Sequence, residues 1–382
     1  MKFMTFDTLT IAIVCALFVI SGLSTVLNPL LRRPKENETR ESVATTDASI
    51  SIILAVHDGE EELERNLPLM LSQDYNGKYE VIVVDESSTD DTAEVLKRMK
   101  NKYDNLYATF IPESSHYISR RKLALTVGVK AAKYDWLLFT DADCRPADNQ
   151  WLKAMASHCN DSTDLVLGGT LYEHTATSYE RFERIVTWWS QAYEASRRTV
   201  YSYCGHNMLF RRSLFDESNG FLSSLQYLRG EYDFLANEYG RNNRTAVAAD
   251  LESTLLQDAP TRKRWVNDHI YSIETCKHLD NGMAYRLVSR TQTFLLHLNL
   301  LADIAAIALS AATGLYIITI AAAILLLAHF AIRIFVAHKA MKGANETIGA
   351  WKIPFMELFM MWRNLRLKIK HFTCDKYDFI RR

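Results

Sequence analysis

Asp141 and Asp143 stand one alanine apart at the end of a short apolar run, Trp136-Leu-Leu-Phe139. Carboxylates that close repel one another unless a cation or a protonated partner holds them. A hard divalent ion with oxygen ligands, Mg²⁺ or Mn²⁺, that also touches a substrate phosphate answers this need. The competing reading is a surface turn in which Asp caps the next helix. Two more apolar runs bear on the choice: Ile50–Val56 is followed by His57-Asp58, and residues 79–84 by Asp85. Acids ending three strands at one sheet edge cannot all serve as helix caps. A metal together with a ligand rich in hydrogen-bond donors would satisfy them. Arg121 and Lys122, just ahead of the Trp136 run, can supply positive charge for phosphates.

These acids need a sheet to bring them together. Apolar residues on both faces suit strands buried in the middle of a parallel sheet. Strand-like and helix-like patterns alternate through 49–290. After the first strand comes a helix over 60–73 containing Pro68, then the second strand. Ser87-Ser-Thr-Asp90 offers N-cap chemistry for a helix over 91–102. A strand over 105–111 and a helix over 119–133 lead to the Trp136 strand. The order predicts an α/β domain with a Rossmann-like, mostly parallel sheet, whose ligands sit beyond the carboxyl ends of the strands. Neither GxGxxG nor GxxxxGK[ST] occurs, so a dinucleotide fingerprint and a P-loop are excluded.

The flanks are of another kind. Residues 9–31 form an uncharged apolar stretch long enough to span a bilayer, preceded by Lys2 and followed by Arg32, Arg33 and Lys35. The positive-inside rule makes it a signal-anchor with residue 32 onward in the cytoplasm. A polar tether follows over 32–48. Residues 293–336 are long enough for a two-span hairpin turning at Gly314, with a single tilted span as the competing count. The expected organisation is an anchor over 1–31, the α/β domain over 49–290, the hairpin over 291–337 and a basic cytoplasmic tail over 338–382. Within the tail, residues 353–370 suit a helix lying in the interface against anionic headgroups; packing on the globular domain is the alternative. The chain belongs on this reading in the inner (cell) membrane as a multi-pass protein. The formal net charge of −1 over 382 residues excludes nucleic-acid binding driven by bulk electrostatics. The six cysteines have no CxxC or metal-site spacing and read as free thiols, with Cys144 a small packing residue.

Several segments now resemble family 2 glycosyltransferases of the GT-A fold. They are Ser51-Ile-Ile-Leu-Ala-Val-His-Asp58, Val81-Ile-Val-Val-Asp-Glu-Ser-Ser-Thr-Asp-Asp-Thr92 and Phe139-Thr-Asp-Ala-Asp143. Gly205-His-Asn-Met-Leu-Phe-Arg-Arg-Ser-Leu-Phe215 with Asn219-Gly-Phe221, and then Gly230-Glu-Tyr-Asp-Phe234, follow in the family's order. The resemblance implies that Asp58 and Asp85 contact the base and ribose of a UDP-linked sugar donor. Asp141 would face ribose or metal, and Asp143 would ligate Mg²⁺ or Mn²⁺ on the diphosphate. Inversion needs a carboxylate base for the acceptor hydroxyl. The family places it where this chain has Tyr232, which leaves Asp233, ahead of Glu231, as the candidate; a helix N-terminal charge without catalytic part is the alternative. His57 and Glu86 also depart from the family's usual residues.

Processive members carry Gln-x-x-Arg-Trp shortly after the base. From Trp265 onward, Trp265-Val-Asn-Asp-His-Ile-Tyr271 offers no such motif, so one sugar per encounter is expected. The acceptor would be membrane-associated, a lipid-linked or polysaccharide glycan, with membrane lipids as further partners. A catalytically inactive membrane subunit and a processive polysaccharide synthase are the rivals. Trp188, Trp189 and Tyr193 read as packing aromatics of an amphipathic helix, with an acceptor or lipid-facing groove as the alternative. His206 and His269 read as ordinary polar or core residues, with a place in the site as the alternative.

Overall fold

The computed structural model describes residues 7–32, 48–113, 118–197 and 199–379. All but the two ends of the expected tether, and Lys2 ahead of the first span, lie outside them. The chain divides into two compact units, Met1–Arg33 with Met283–Arg366 and Pro34–Gly282 with Leu367–Arg382.

In the second unit the chain begins β1 (Ile50–Val56), α2 (Glu60–Leu71), β2 (Tyr79–Asp85), α3 (Thr92–Lys100), β3 (Leu106–Phe110), α4 (Arg120–Ala131) and β4 (Trp136–Asp141). It continues through β5 (Cys144–Pro146), α5 (Trp151–Ala156), β6 (Leu165–Gly168), β7 (Thr170–Tyr172), α6 (Ser178–Ala195), β8 (Met208–Arg211) and α7 (Arg212–Glu217). It closes with α8 (Glu231–Tyr239), β9 (Thr245–Ala248), β10 (Leu255–Gln257) and α9 (Arg262–Thr275). Among the described residues the main sheet has seven strands in the order β3-β2-β1-β4-β8-β6-β9, and a smaller sheet runs β5-β10-β7. Strands β1 to β4 are mutually parallel, and β8 lies antiparallel between β4 and β6.

Strands β1 and β4 are buried at every position, as their two-sided apolar sequences require. Ile52, Leu54, Val81, Val83 and Leu138 cluster with Leu63, Leu67 and Met70 of α2. Each such side chain contributes roughly 1.5–3 kcal/mol on burial. On the other face α4 approaches β1 so closely that a Cβ at Gly128 would meet Ile53 Cγ2 at 2.4 Å. That glycine lets the helix carrying Arg121 lie against the sheet. The parallel register sets Val56 opposite Asp85 and Ala55 opposite Asp141, so the three acidic strand ends share one edge.

The first unit holds α1 (Thr8–Val26), most of α10 (Gly282–Thr313), α11 (Tyr316–Gly343) and the start of α12 (Ile353–Phe372). Gly314, at φ +76°, turns the chain between α10 and α11. Among the described residues α1, α10 and α11 are long and apolar enough to cross a membrane. Buried Arg333 of α11 pairs with Glu357 of α12 at 2.5 Å and donates to the carbonyl of Ser24 in α1 at 3.0 Å. A buried arginine left unpaired is strongly destabilising, so this network fixes α11 and α12 against α1.

Candidate active site

The carboxyl edge of the sheet is fastened by the loop after β2. Asp58 and Ser87 both take left-handed backbone conformations, at φ 48° and 62°. Such strain in residues other than glycine concentrates at functional sites. Asp58 Oδ1 accepts from Thr89 N at 2.7 Å, and this bond holds its carboxyl below the usual carboxylate range. Asp85 Oδ1 accepts from both Ser88 N, at 2.9 Å, and Ser88 Oγ, at 2.6 Å. Ser88 and Thr89 therefore tie two strand ends together, where N-cap chemistry for α3 was expected. Asp90 alone serves a helix start, accepting from Thr92 N at 3.2 Å. The neighbouring Glu86 is pushed up by burial, against the pull of Arg121.

Asp141 and Asp143 are both buried but differently engaged. Asp141 Oδ1 takes Arg121 and the Tyr232 hydroxyl, the latter at 2.6 Å. Its Oδ2 lies 3.0 Å from His206 Nδ1. Burial opposes ionisation of Asp141, but Arg121 and His206 outweigh it and hold the carboxyl well below the usual range. Asp143 Oδ2 accepts from Gln257 Nε2 at 3.0 Å and faces Arg264 Nη2 at 2.7 Å. Cys144 beside it is fully buried and its thiol is pushed well up by that burial, as befits a packing residue.

Across from these, α8 begins after Gly230, whose φ of +90° makes the sharp entry. Glu231 is buried with Oε1 lacking a hydrogen-bond partner among the described residues. Asp233 Oδ1 accepts from Tyr203 N at 3.0 Å, and burial pushes its carboxyl up to about 7. Tyr232, between them, sends its hydroxyl to Asp141, and His206 meets its ring edge-on at 5.1 Å. The helix thus turns one of its first three side chains onto the strand-end acids. His206, expected to be an ordinary histidine, sits beside Asp141; only its place in the Gly205–Phe215 segment hinted at this. His269 stays apart, its ring tilted against Trp265 at 3.8 Å. Trp188 and Trp189 are buried in α6, which opens on a capping box between Thr177 and Glu180.

Two expectations need correction. Lys122 does not offer its charge to a phosphate: it is buried, and its ammonium donates to the carbonyls of Ser224, at 2.6 Å, and Tyr227, at 2.8 Å. Burial lowers its pKa to about 8. Beside it, Arg121 does stay at the edge, paired with Asp141. The second correction concerns the segment counted from Trp265. Thr261-Arg262-Lys263-Arg264-Trp265 retains the Arg-Trp of the processive motif, with Thr in place of Gln. Arg264 is the residue that reaches Asp143.

A divalent metal can be tested against these donors. Among the described residues no group of three or more His, Cys, Asp or Glu side chains forms a metal cage. Mg²⁺ and similar ions are commonly bound by one or two carboxylates plus substrate phosphates and water. Asp143 fits that pattern, as a buried carboxylate whose present partners are a guanidinium, an amide and the Cys144 thiol.

Comparisons with known proteins agree with this geometry. Residues 51–218 match the family model described as glycosyl transferase family 2. The chain is 30% identical over 138 residues to the glycosyltransferase AglE of Haloferax volcanii, covering 35% of this chain and 44% of that protein. It is 32% identical over 95 residues to a poly-β-1,6-N-acetyl-D-glucosamine synthase of Staphylococcus epidermidis, covering 25% of this chain and 21% of that protein. The chain therefore spans less than half the length of these curated relatives. Its fold is similar to the mannosyltransferase PcManGT from Pyrobaculum calidifontis, solved with GDP-Man and Mn²⁺, at TM-score 0.54 and 18% identity over 93% of this chain and 97% of that one. The acidic sheet edge lies within the part of the chain that is similar to glycosyl transferase family 2.

Proposed function

We propose that the protein transfers a sugar, with inversion, from a nucleotide-sugar donor to a membrane-associated acceptor. The observation that carries this reading is the meeting of Asp58, Asp85, Asp141 and Asp143 at one sheet edge with the acidic start of α8, through the Tyr232–Asp141 bond at 2.6 Å. Asp58 and Asp85 accept from the base and ribose hydroxyls. Both bonds that Asp85 receives fall on one oxygen, which leaves its second for the ligand. Asp143 would hold Mg²⁺ or Mn²⁺, and that ion would supply positive charge against the charge growing on the diphosphate. Arg264 adds a positive charge at the same carboxylate. Asp141 is a positioning residue that aims Arg121, His206 and Tyr232.

Asp233 takes the acceptor hydroxyl's proton, the oxygen forms the new bond to the anomeric carbon, and the electron pair of the sugar–phosphate bond leaves with the nucleoside diphosphate. A base held at about 7 suits this work near neutrality. Trp265 favours addition of single sugars, because at 2% exposure, with the His269 ring tilted against it at 3.8 Å, it has no face for an acceptor chain. The retained Arg264-Trp265 pair supports a processive second reading, and the length of products from limiting acceptor separates the two. Supporting a lipid-linked acceptor on the cytoplasmic face are the three apolar helices and the basic carboxy-terminal segment.

The central test is donor turnover by the full chain in detergent with Mn²⁺, alongside calorimetric titration of the metal in the presence of nucleoside diphosphate. Asp143→Ala is expected to lower turnover by about 10²–10³-fold and to abolish the metal's heat of binding. Full activity in that variant would overturn the assignment, and donor binding with no turnover by the unaltered chain would favour an inactive subunit.

A further inference from the structure

Helix α12 presents an apolar face to its surroundings. Phe355 is 58% exposed, Phe359 54%, Trp362 60%, Ile369 59% and Phe372 89%. With Leu365 they recur at three and four residues, one continuous stripe on a helix. The opposite face is occupied: Ile353 and Leu367 are buried, and Glu357 is held by Arg333. Arg363, Arg366 and Lys370 recur with the same spacing along one edge of the stripe. An apolar stripe of Phe, Trp and Ile edged by cations matches the boundary between acyl chains and anionic headgroups. The helix also begins in the same compact unit as the three candidate spans.

The far end of α12 is wired into the catalytic domain. His371 pairs at 2.7 Å with Glu274 of α9, which Lys277 also holds at 2.7 Å. His371 and Tyr271 both pack on the Phe379 ring, and Tyr271 donates to the Asp378 carbonyl at 3.3 Å. Phe379 in turn accepts, through its backbone carbonyl, from Leu228 N at 3.1 Å. Leu228 lies two residues before the turn at Gly230 that aims Glu231 and Asp233. Its own carbonyl accepts from Ser119 Oγ at 3.2 Å, at the start of the helix bearing Arg121.

We propose that α12 docks in the plane of an anionic membrane surface and that the segment from His371 to Phe379 passes this docking on as ordering of residues 228–233. The consequence for catalysis rests on the function proposed above; the docking and ordering do not.

The test uses the full chain in vesicles of a neutral phospholipid, with or without an anionic one. A photoreactive phenylalanine analogue at Phe359 or Trp362 is expected to crosslink to phospholipid. Neutralising Arg363 and Lys370 to Gln should lower the ratio of lipid-linked to unlinked protein by about fivefold per residue. Hydrogen exchange at 228–233 should slow in anionic vesicles and not in neutral ones, and Phe379→Ala should erase that difference while leaving the lipid crosslink. Tyr271→Phe, which removes one hydrogen bond, should reduce the difference and keeps the test readable if Phe379→Ala unfolds the segment. Crosslinks to a second copy or another protein overturn the docking. Equal exchange in both vesicles, or a difference that survives both variants, overturns the coupling. None of these readouts needs sugar transfer, so a failed transfer assay leaves them intact.

Discussion

The two sides of the site are built on opposite principles. On the side proposed for the donor, Asp58 and Asp85 at two strand ends are fixed by Thr89 and Ser88 of the loop after β2, through bonds of 2.6–3.2 Å. On the side proposed for the acceptor, Glu231 keeps a buried oxygen without a partner among the described residues, and burial holds Asp233 at about 7. A preorganised, satisfied carboxylate recognises; a desolvated one reacts. Under the function proposed above, binding and proton transfer ask contrary things of the same functional group, and strand ends and a helix start would hold the two apart.

Substituting the acceptor side should do the greatest harm. Asp233→Asn is expected to lower kcat by about 10²–10⁴-fold with little change in donor affinity. The base works only when ionised, so kcat/KM of the unaltered chain should climb as pH rises through about 7 and level off above it. A profile that falls over that range, or a step that survives in Asp233→Asn, would move the role to Glu231, and Glu231→Gln under the same assay would show it. A smaller effect, on stability, belongs to the strut behind the site. Lys122→Met strands the carbonyls of Ser224 and Tyr227 and should destabilise the domain by about 1–3 kcal/mol. If denaturant midpoints do not move while donor affinity drops, Lys122 reaches the phosphates after all. The smallest change is Tyr232→Phe, which removes one charge-assisted bond to Asp141. It should slow turnover by about tenfold, from roughly 1.5 kcal/mol. An unchanged rate would mean that the two sides act without that link.

How much of this was legible in the sequence follows from how local each feature is. Strands β1, β2 and β4 were readable because each is an unbroken apolar run stopped by an acid. Their parallel order follows from the helices between them, so the shared edge of Asp58, Asp85 and Asp141 was within reach. Lys122 was misplaced because a lysine beside an arginine reads as surface charge, and nothing nearby announces the carbonyls 102 and 105 residues further on that enclose it. Arg264 carries little signal because Thr261 stands where the motif has Gln. His206 was undervalued because its neighbour Asp141 lies 65 residues earlier in the chain. The docking of Phe379 against Leu228 had no local signal at all.

That last contact has a consequence for how the protein is made. Domains generally fold as units while the chain emerges, amino-terminal parts first. Here residues 371–379 complete a surface laid down by residues 228–278, and α10 and α11 are synthesised in between. That piece of the α/β unit is therefore made only after both apolar helices. The contacts of His371 with Glu274 and of Phe379 with Leu228 come last in the order of synthesis.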